Sequence, residues 1–246
     1  MPAPEYAPFL TTHWSIVLAA GKASAPNHAD ALEELCRTYW PPLYSFLRRD
    51  GRSPEQAADL TQGFFAHLLE RGAIGLADPL RGRFRTFLLT SLRRFATDQY
   101  RLDSAQKRGS GRDLLTLNTG TLNEEEAQLA VTPVDIETPE TVYMRRWAAA
   151  ILELAVNRTR IDYEKIGQSA LFDALKGSIW GTSEAGSVSA VAARLGLTNG
   201  AVRTATSRMR ERFRARLRTC VAETLSPDAT EEEITTELRE LTAALR

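Results

Sequence analysis

Apolar residues recur at three- and four-residue steps through most of the chain, the period of an amphipathic helix. The strand signal, apolar and polar residues in strict alternation, is absent, and β-branched runs are few. The expected fold class is all-α. An opening helix is predicted around Trp14–Ala20, ended by Gly21. The next starts near His28 and carries Leu32, Leu35, Tyr39, Leu43, Phe46 and Leu47. Pro41-Pro42 should kink or split it, because proline lacks the donor N–H and clashes with the preceding turn. Ser53-Pro54-Glu55-Gln56 is a helix start: serine caps, proline fits the first turn, and Gln56 can close a capping box. That helix presents Ala57, Leu60, Phe64 and Leu68 on one face and stops at Gly72. A long helix over Phe84–Asp103 follows, with Phe84, Phe87, Leu88, Leu92 and Phe95 as its buried stripe.

Residues 109–140 hold glycines, prolines and the run Glu124–Glu126 with little apolar period, which predicts an acidic flexible linker. A second helical domain then opens with Thr141–Asn157, whose inner side is expected to hold Met144, Trp147, Ala148, Ile151, Leu152 and Ala155. A short helix over Leu171–Leu175 precedes a glycine-rich loop. Next comes a short helix, Val188–Leu195, a turn at Gly196-Leu197-Thr198-Asn199, and a longer basic helix from about Gly200 to Leu217. This is the helix-turn-helix layout, in which the second helix enters the major groove of DNA. Val202, Ala205, Met209, Phe213 and Leu217 form the core stripe of that helix, with Arg203, Arg210 and Arg214 opposite. Asn199, Arg203, Thr204, Ser207, Arg208 and Arg210 are its candidate DNA contacts. The last segment starts with a capping box, Thr230 to Glu233, and carries Ile234, Leu238, Leu241 and Leu245 as a narrow stripe. So short a helix is marginal alone and should dock on the second domain or on a partner.

The 246 residues are 43% apolar and 25% charged, the profile of an ordinary globular chain with one or two domains. No apolar run reaches the roughly 18–20 residues a membrane helix needs, and MPAPEYAPFL has no basic start or apolar core of a secretory signal. A cytoplasmic location without membrane contact is the expectation. Cys36 and Cys220 each stand alone, and His13, His28 and His67 lie far apart. Neither set has metal-ligand spacing, so no metal and no cofactor is expected. There is no phosphate-binding glycine loop and no clustered nucleophile and base, so no enzyme is expected either.

The formal net charge is zero, but it is partitioned. Residues 81–108 carry net +6 and residues 203–218 net +6, while 124–140 carry −6 and 223–246 carry −5. Two arginine-rich blocks inside helical patterns point to a polyanion partner, and arginine suits bidentate phosphate and base-edge contacts. The plainer reading of either block is a solvated helix surface. In the first block the candidates are Arg83, Arg85, Arg93, Arg94 and Arg108, with Tyr100 and Arg101 near the helix end suited to an unstacked base. Core packing is the plainer reading of Phe84, Phe87 and Phe95. The acidic tail is expected to regulate access to the basic helix.

With the parts in this order, the chain resembles a bacterial extracytoplasmic-function (ECF) sigma factor, in a long variant with N- and C-terminal extensions. SPEQAADLTQGFFAHLL resembles the family helix that binds RNA polymerase, whose pattern is roughly D-L-x-Q-x-x-F. Asp59, Leu60, Gln62 and Phe65 fall on it with Phe64 adjacent, and the resemblance implies that they bind the polymerase core. GRFRTFLLTSLRRFATDQYRLDSAQKRG resembles the segment that recognises and melts the promoter, with Asp98 and Arg101 on the family's D-x-x-R step. The helix-turn-helix resembles the domain that reads the more distant promoter element. The organisation this implies is an extension over 1–27, a region 2-like domain over 28–108, the linker over 109–140, a region 4-like domain over 141–220, and an acidic C-terminal helix over 221–246.

One departure stands out. Gly63 occupies a position that is usually acidic in the family. Phosphorylation of nearby Thr61 by a Ser/Thr kinase would add charge there; the plainer reading is a surface threonine. Control by an anti-sigma protein is a further expectation. The main competing function is a stand-alone helix-turn-helix regulator of transcription, which would need dimer symmetry to match half-sites. A helical scaffold that binds only proteins is another.

Overall fold

The computed structural model describes residues 17, 20, 28–78, 82–106, 138–180, 188–226 and 228–246, and every regular element among them is helical. The elements divide into two units. One draws on Thr12–Ala150 together with Glu223–Arg246, the other on Ile151–Ala222.

In the first unit α1 spans His28–Arg49, α2 Pro54–Glu70 and α3 Phe84–Gln106, with a single 3-10 turn at Ala73–Leu76. The helix α1 runs through Pro41 and Pro42, so the expected split does not occur. Tertiary packing explains this: Tyr39, Leu43, Tyr44, Phe46 and Leu47 are all buried around the two prolines, and burial of such side chains outweighs two lost backbone bonds. The capping box of α2 forms as read. Ser53 Oγ accepts from the Gln56 amide at 3.2 Å and the Ser53 amide donates to Gln56 Oε1 at 3.1 Å. Gly72 ends this stretch in the left-handed conformation, φ 59°, which favours glycine.

Aromatic rings hold these helices together. Tyr39 of α1 meets Phe84 of α3 edge-on at 5.4 Å, and Phe64 of α2 meets Phe95 of α3 at 5.8 Å. A Cβ at Gly63 would stand 3.4 Å from the Phe95 ring, an ordinary contact distance, so packing here does not require glycine.

The same unit takes in two further segments. α4 spans Pro139–Lys165, longer at both ends than predicted, and its first part, through Ala150, belongs here. After α7 (Asn199–Glu223) the chain returns and forms α8, Glu231–Ala244. Thr230 caps α8, accepting from the Glu233 amide at 3.3 Å. The tail was expected to dock on the second domain or a partner; it packs within the first unit instead, because its acids meet arginines of α3. The units divide at 150/151 and 222/223.

The second unit contains the rest of α4, α5 (Ser169–Leu175), a 3-10 turn over Lys176–Trp180, α6 (Val188–Leu195) and α7. Tyr163, Phe172, Leu175, Val191, Val202 and Met209 are the larger members of its core. Between α6 and α7 the Gly196 backbone is left-handed at φ 65°, and the Leu197 amide donates to the Ala192 carbonyl at 2.9 Å. Thr198 Oγ1 then accepts from the Ala201 amide at 3.1 Å and starts α7. The Arg216 guanidinium grips the Asp162 carboxylate with two bonds of 2.5 and 2.6 Å.

The opening helix around Trp14 falls mostly outside the described residues; Val17 and Ala20 are helical and buried. The linker lies outside them up to residue 137.

Candidate nucleic-acid interface

On α2 the buried positions are Ala57, Thr61, Phe64, Phe65 and Leu68. Ala57, Phe64 and Leu68 are buried as expected; Thr61 takes the inward place expected of Leu60, and Phe65 joins them. Asp59 is exposed, and Leu60 and Gln62 are half-buried. Of the five residues assigned to polymerase binding, Phe64 and Phe65 therefore belong to the core, and Asp59, Leu60 and Gln62 form the accessible edge.

Thr61 has 0% exposure, and its hydroxyl donates to the Ala57 carbonyl at 2.7 Å. It is neither a surface threonine nor an open kinase target. A phosphate here would bury a charge of about −1.5 to −2 in the helix interface, so the modification reading is withdrawn.

On α3 the candidates separate into two groups. Arg94, Asp98, Tyr100 and Arg101 are exposed, Tyr100 at 62%. They cluster in the second half of the helix, and Arg101 Nη1 stands 3.7 Å from Asp98 Oδ1. Leu102 beside them is exposed as well. Arg108 lies outside the described residues.

The other group is held by acids from elsewhere in the chain. Arg85 is buried at 4% exposure, in ion pairs with Glu237 and Glu240 of α8. Its guanidinium carbon lies 4.1 Å from the centre of the Trp147 ring of α4. Its carbonyl accepts from the Tyr143 hydroxyl at 2.9 Å. Burial lowers Arg85 to about 10, with Arg83 adding to the fall and Glu240 opposing it; it stays a cation at neutral pH. Burial also pushes the Tyr143 hydroxyl well up, which keeps it a proton donor. Arg83 pairs with Glu237 at 2.8 Å and with Glu240. The hydrogen bond from Arg83 is the main cause that holds Glu240 below the ordinary carboxylate range. Arg93 pairs with Glu140 at the start of α4, and its guanidinium carbon lies 5.2 Å from the Phe46 ring.

Sequence reading missed Glu140, Tyr143, Glu237 and Glu240; Trp147 was expected inside, but not as the support of Arg85. A signal existed for two of the charges. Glu237 sits three residues after Ile234 and four before Leu241, on the apolar face of its helix, and Arg85 shares a face with Leu88 and Leu92. A charge on a buried stripe calls for a partner on another element.

In the second unit Asn199, Arg203, Thr204, Ser207 and Arg208 are exposed along α7. The Asn199 amide reaches Ser189 Oγ of α6 at 3.5 Å. Arg210 differs from the expectation that it faces outward with Arg203: its Nε donates to the Ser178 carbonyl at 2.9 Å. Arg212 stands 5.1 Å from the Tyr163 ring.

Residues 35–105 match the family model of Sigma-70 region 2. The chain contains a Sigma-70 region 2 domain. The match spans most of α1, all of α2 and nearly all of α3. The match covers less than half of the chain, and the region 2 domain supports the reading of a sigma factor. No curated protein and no solved structure matches the chain. Among the described residues no helix is long and apolar enough to cross a membrane, and no cluster of His, Cys, Asp and Glu could hold a metal ion.

Proposed function

We propose that the protein is an RNA polymerase sigma factor of the extracytoplasmic-function type, in a long variant. In this reading Asp59, Leu60 and Gln62 on α2 dock the polymerase core, with Phe64 and Phe65 fixing the helix beneath them. Arg94, Asp98, Tyr100 and Arg101 meet promoter DNA at the edge of the opened bubble. Tyr100 offers a flat face to an unstacked base, an interaction worth about 1–3 kcal/mol. The helix pair α6 and α7 acts as the helix-turn-helix, with Asn199, Arg203, Thr204, Ser207 and Arg208 toward the major groove. The observation that carries the reading is the region 2 match over residues 35–105. Joining two weak DNA-binding modules in one chain raises affinity through effective concentration. A polymerase partner implies a cytoplasmic location. An anti-sigma protein would act by covering the exposed edge of α2.

Run-off transcription tests the proposal: core polymerase, the purified protein and genomic DNA of the same source. Defined new transcripts are the expected result. If the protein neither co-purifies with core polymerase nor changes its transcripts, but still binds duplex DNA, a stand-alone helix-turn-helix regulator replaces this reading.

A further inference from the structure

Two arginines stand at the start of α3, Arg83 just before it and Arg85 in its first turn, and both pair with the last helix of the chain. Glu237 and Glu240 lie three residues apart on α8, so both carboxylates face the same way. Each pairs with both Arg83 and Arg85. Carboxylates and phosphates offer the same bidentate acceptor geometry to a guanidinium. The segments that meet here have opposite net charge, +6 over 81–108 and −5 over 223–246.

Arg85 is held independently of α8. Trp147 supports one face of its guanidinium and Tyr143 fixes its backbone carbonyl. Its N–H edge is what points at the carboxylates. Removing α8 would leave that edge aimed outward.

The contact also has an open side. The Arg83 side chain is 31% exposed and that of Glu240 41%. A cavity of about 440 Å³ lies against Arg83, lined also by Gly82, Ser226, Thr230, Glu233 and Thr236. A polyanion can begin to exchange with Glu240 from solvent while Glu237 is still buried. The apolar hold of α8 is narrow: Ile234 and Leu241 are buried and Leu238 is half-buried, while Leu245 just past its end is exposed.

We propose that α8 is a displaceable cover on a phosphate-binding site formed by Arg83 and Arg85, and that DNA backbone phosphates take the place of Glu237 and Glu240 when the protein engages DNA. The closed form has fewer cations to offer DNA than the sequence implies, and opening α8 adds two. This inference rests on the reading of the region 2 domain as a DNA-binding module.

The test uses the full chain. Hydrogen exchange over residues 231–244 is measured alone, with a mixed-sequence duplex at low salt, and with core polymerase but no DNA. In parallel, duplex affinity is measured against salt for the wild type and for a Glu237→Gln/Glu240→Gln variant whose folding is checked by circular dichroism. DNA should strip protection from α8. The variant should bind roughly tenfold tighter at low salt, with a log–log salt slope close to that of the wild type, because both complexes neutralise the same two phosphates. If the variant does not fold, the exchange data on the wild type decide alone. DNA binding with α8 still protected overturns the cover and leaves the sigma-factor reading intact. Release of α8 by polymerase alone also overturns it, since a protein surface would then be the occupant. Failure of the wild type to bind any DNA removes both.

Discussion

The Tyr143 hydroxyl donates to the Arg85 carbonyl at 2.9 Å, with both residues buried. One bond thereby ties the beginning of α4 to the beginning of α3, across the stretch expected to be a flexible linker. It also fixes the backbone of the residue whose side chain binds α8.

Tyr143→Phe should be destabilising. It removes one of two hydrogen bonds to a carbonyl that also accepts within α3, which costs about 1 kcal/mol. Urea denaturation should show a lower midpoint with little change in slope.

Glu237→Ala should cost more. It leaves Arg85 buried beside Trp147 with a partner removed, and breaking a buried pair in this way costs roughly 3–5 kcal/mol. Arg85→Met combined with Glu237→Leu removes both charges and should recover most of the loss. A double-mutant cycle by thermal denaturation checks this. Equal losses in the single and double variants would show that the ion pair is not the source.

Much of this was legible in the chain. The helical period gave the elements, and the capping patterns at Ser53 and Thr230 gave two helix starts to the residue. What failed had physical causes. The stripe of α2 was placed on Leu60 because leucine is the more apolar, but Thr61 can satisfy its own hydroxyl on the Ala57 carbonyl and so be buried. Arginines were counted as one basic surface, yet Arg83, Arg85 and Arg93 face acids from Glu140 onward in the sequence. Pairings over such separations leave no local signal except a charge on an apolar face.

Thr61→Asp should unfold the region 2 domain rather than activate it. A carboxylate at this position is buried without a cation, a penalty of several kcal/mol. Thr61→Val keeps the shape and loses one hydrogen bond, about 1 kcal/mol. Circular dichroism melting curves distinguish the two.

Acid should weaken the hold of α8. Glu240 titrates below its ordinary value of 4.5, chiefly through the hydrogen bond from Arg83. Its contribution is complete above the unfolded value and is lost as pH falls through the lower folded one. The cations facing it are Arg83 and Arg85, which stay charged throughout this range. Wild type should exceed Glu240→Gln in urea midpoint at pH 7, and the gap should close as pH drops below 4.5.

Arg203→Ala and Arg210→Ala should behave differently. Arg203 is exposed, so its loss should flatten the log–log salt slope of duplex binding by about one unit and leave the melting temperature unchanged. Arg210 holds the Ser178 carbonyl, so its loss should lower the melting temperature first.

The return of α8 has a consequence for biosynthesis. Arg85 leaves the ribosome 155 residues before Glu240, which at about 5–20 residues per second is a delay of roughly 8–30 seconds. During that interval the nascent chain displays an uncompensated pair of arginines, and the domain translated first is the one completed last.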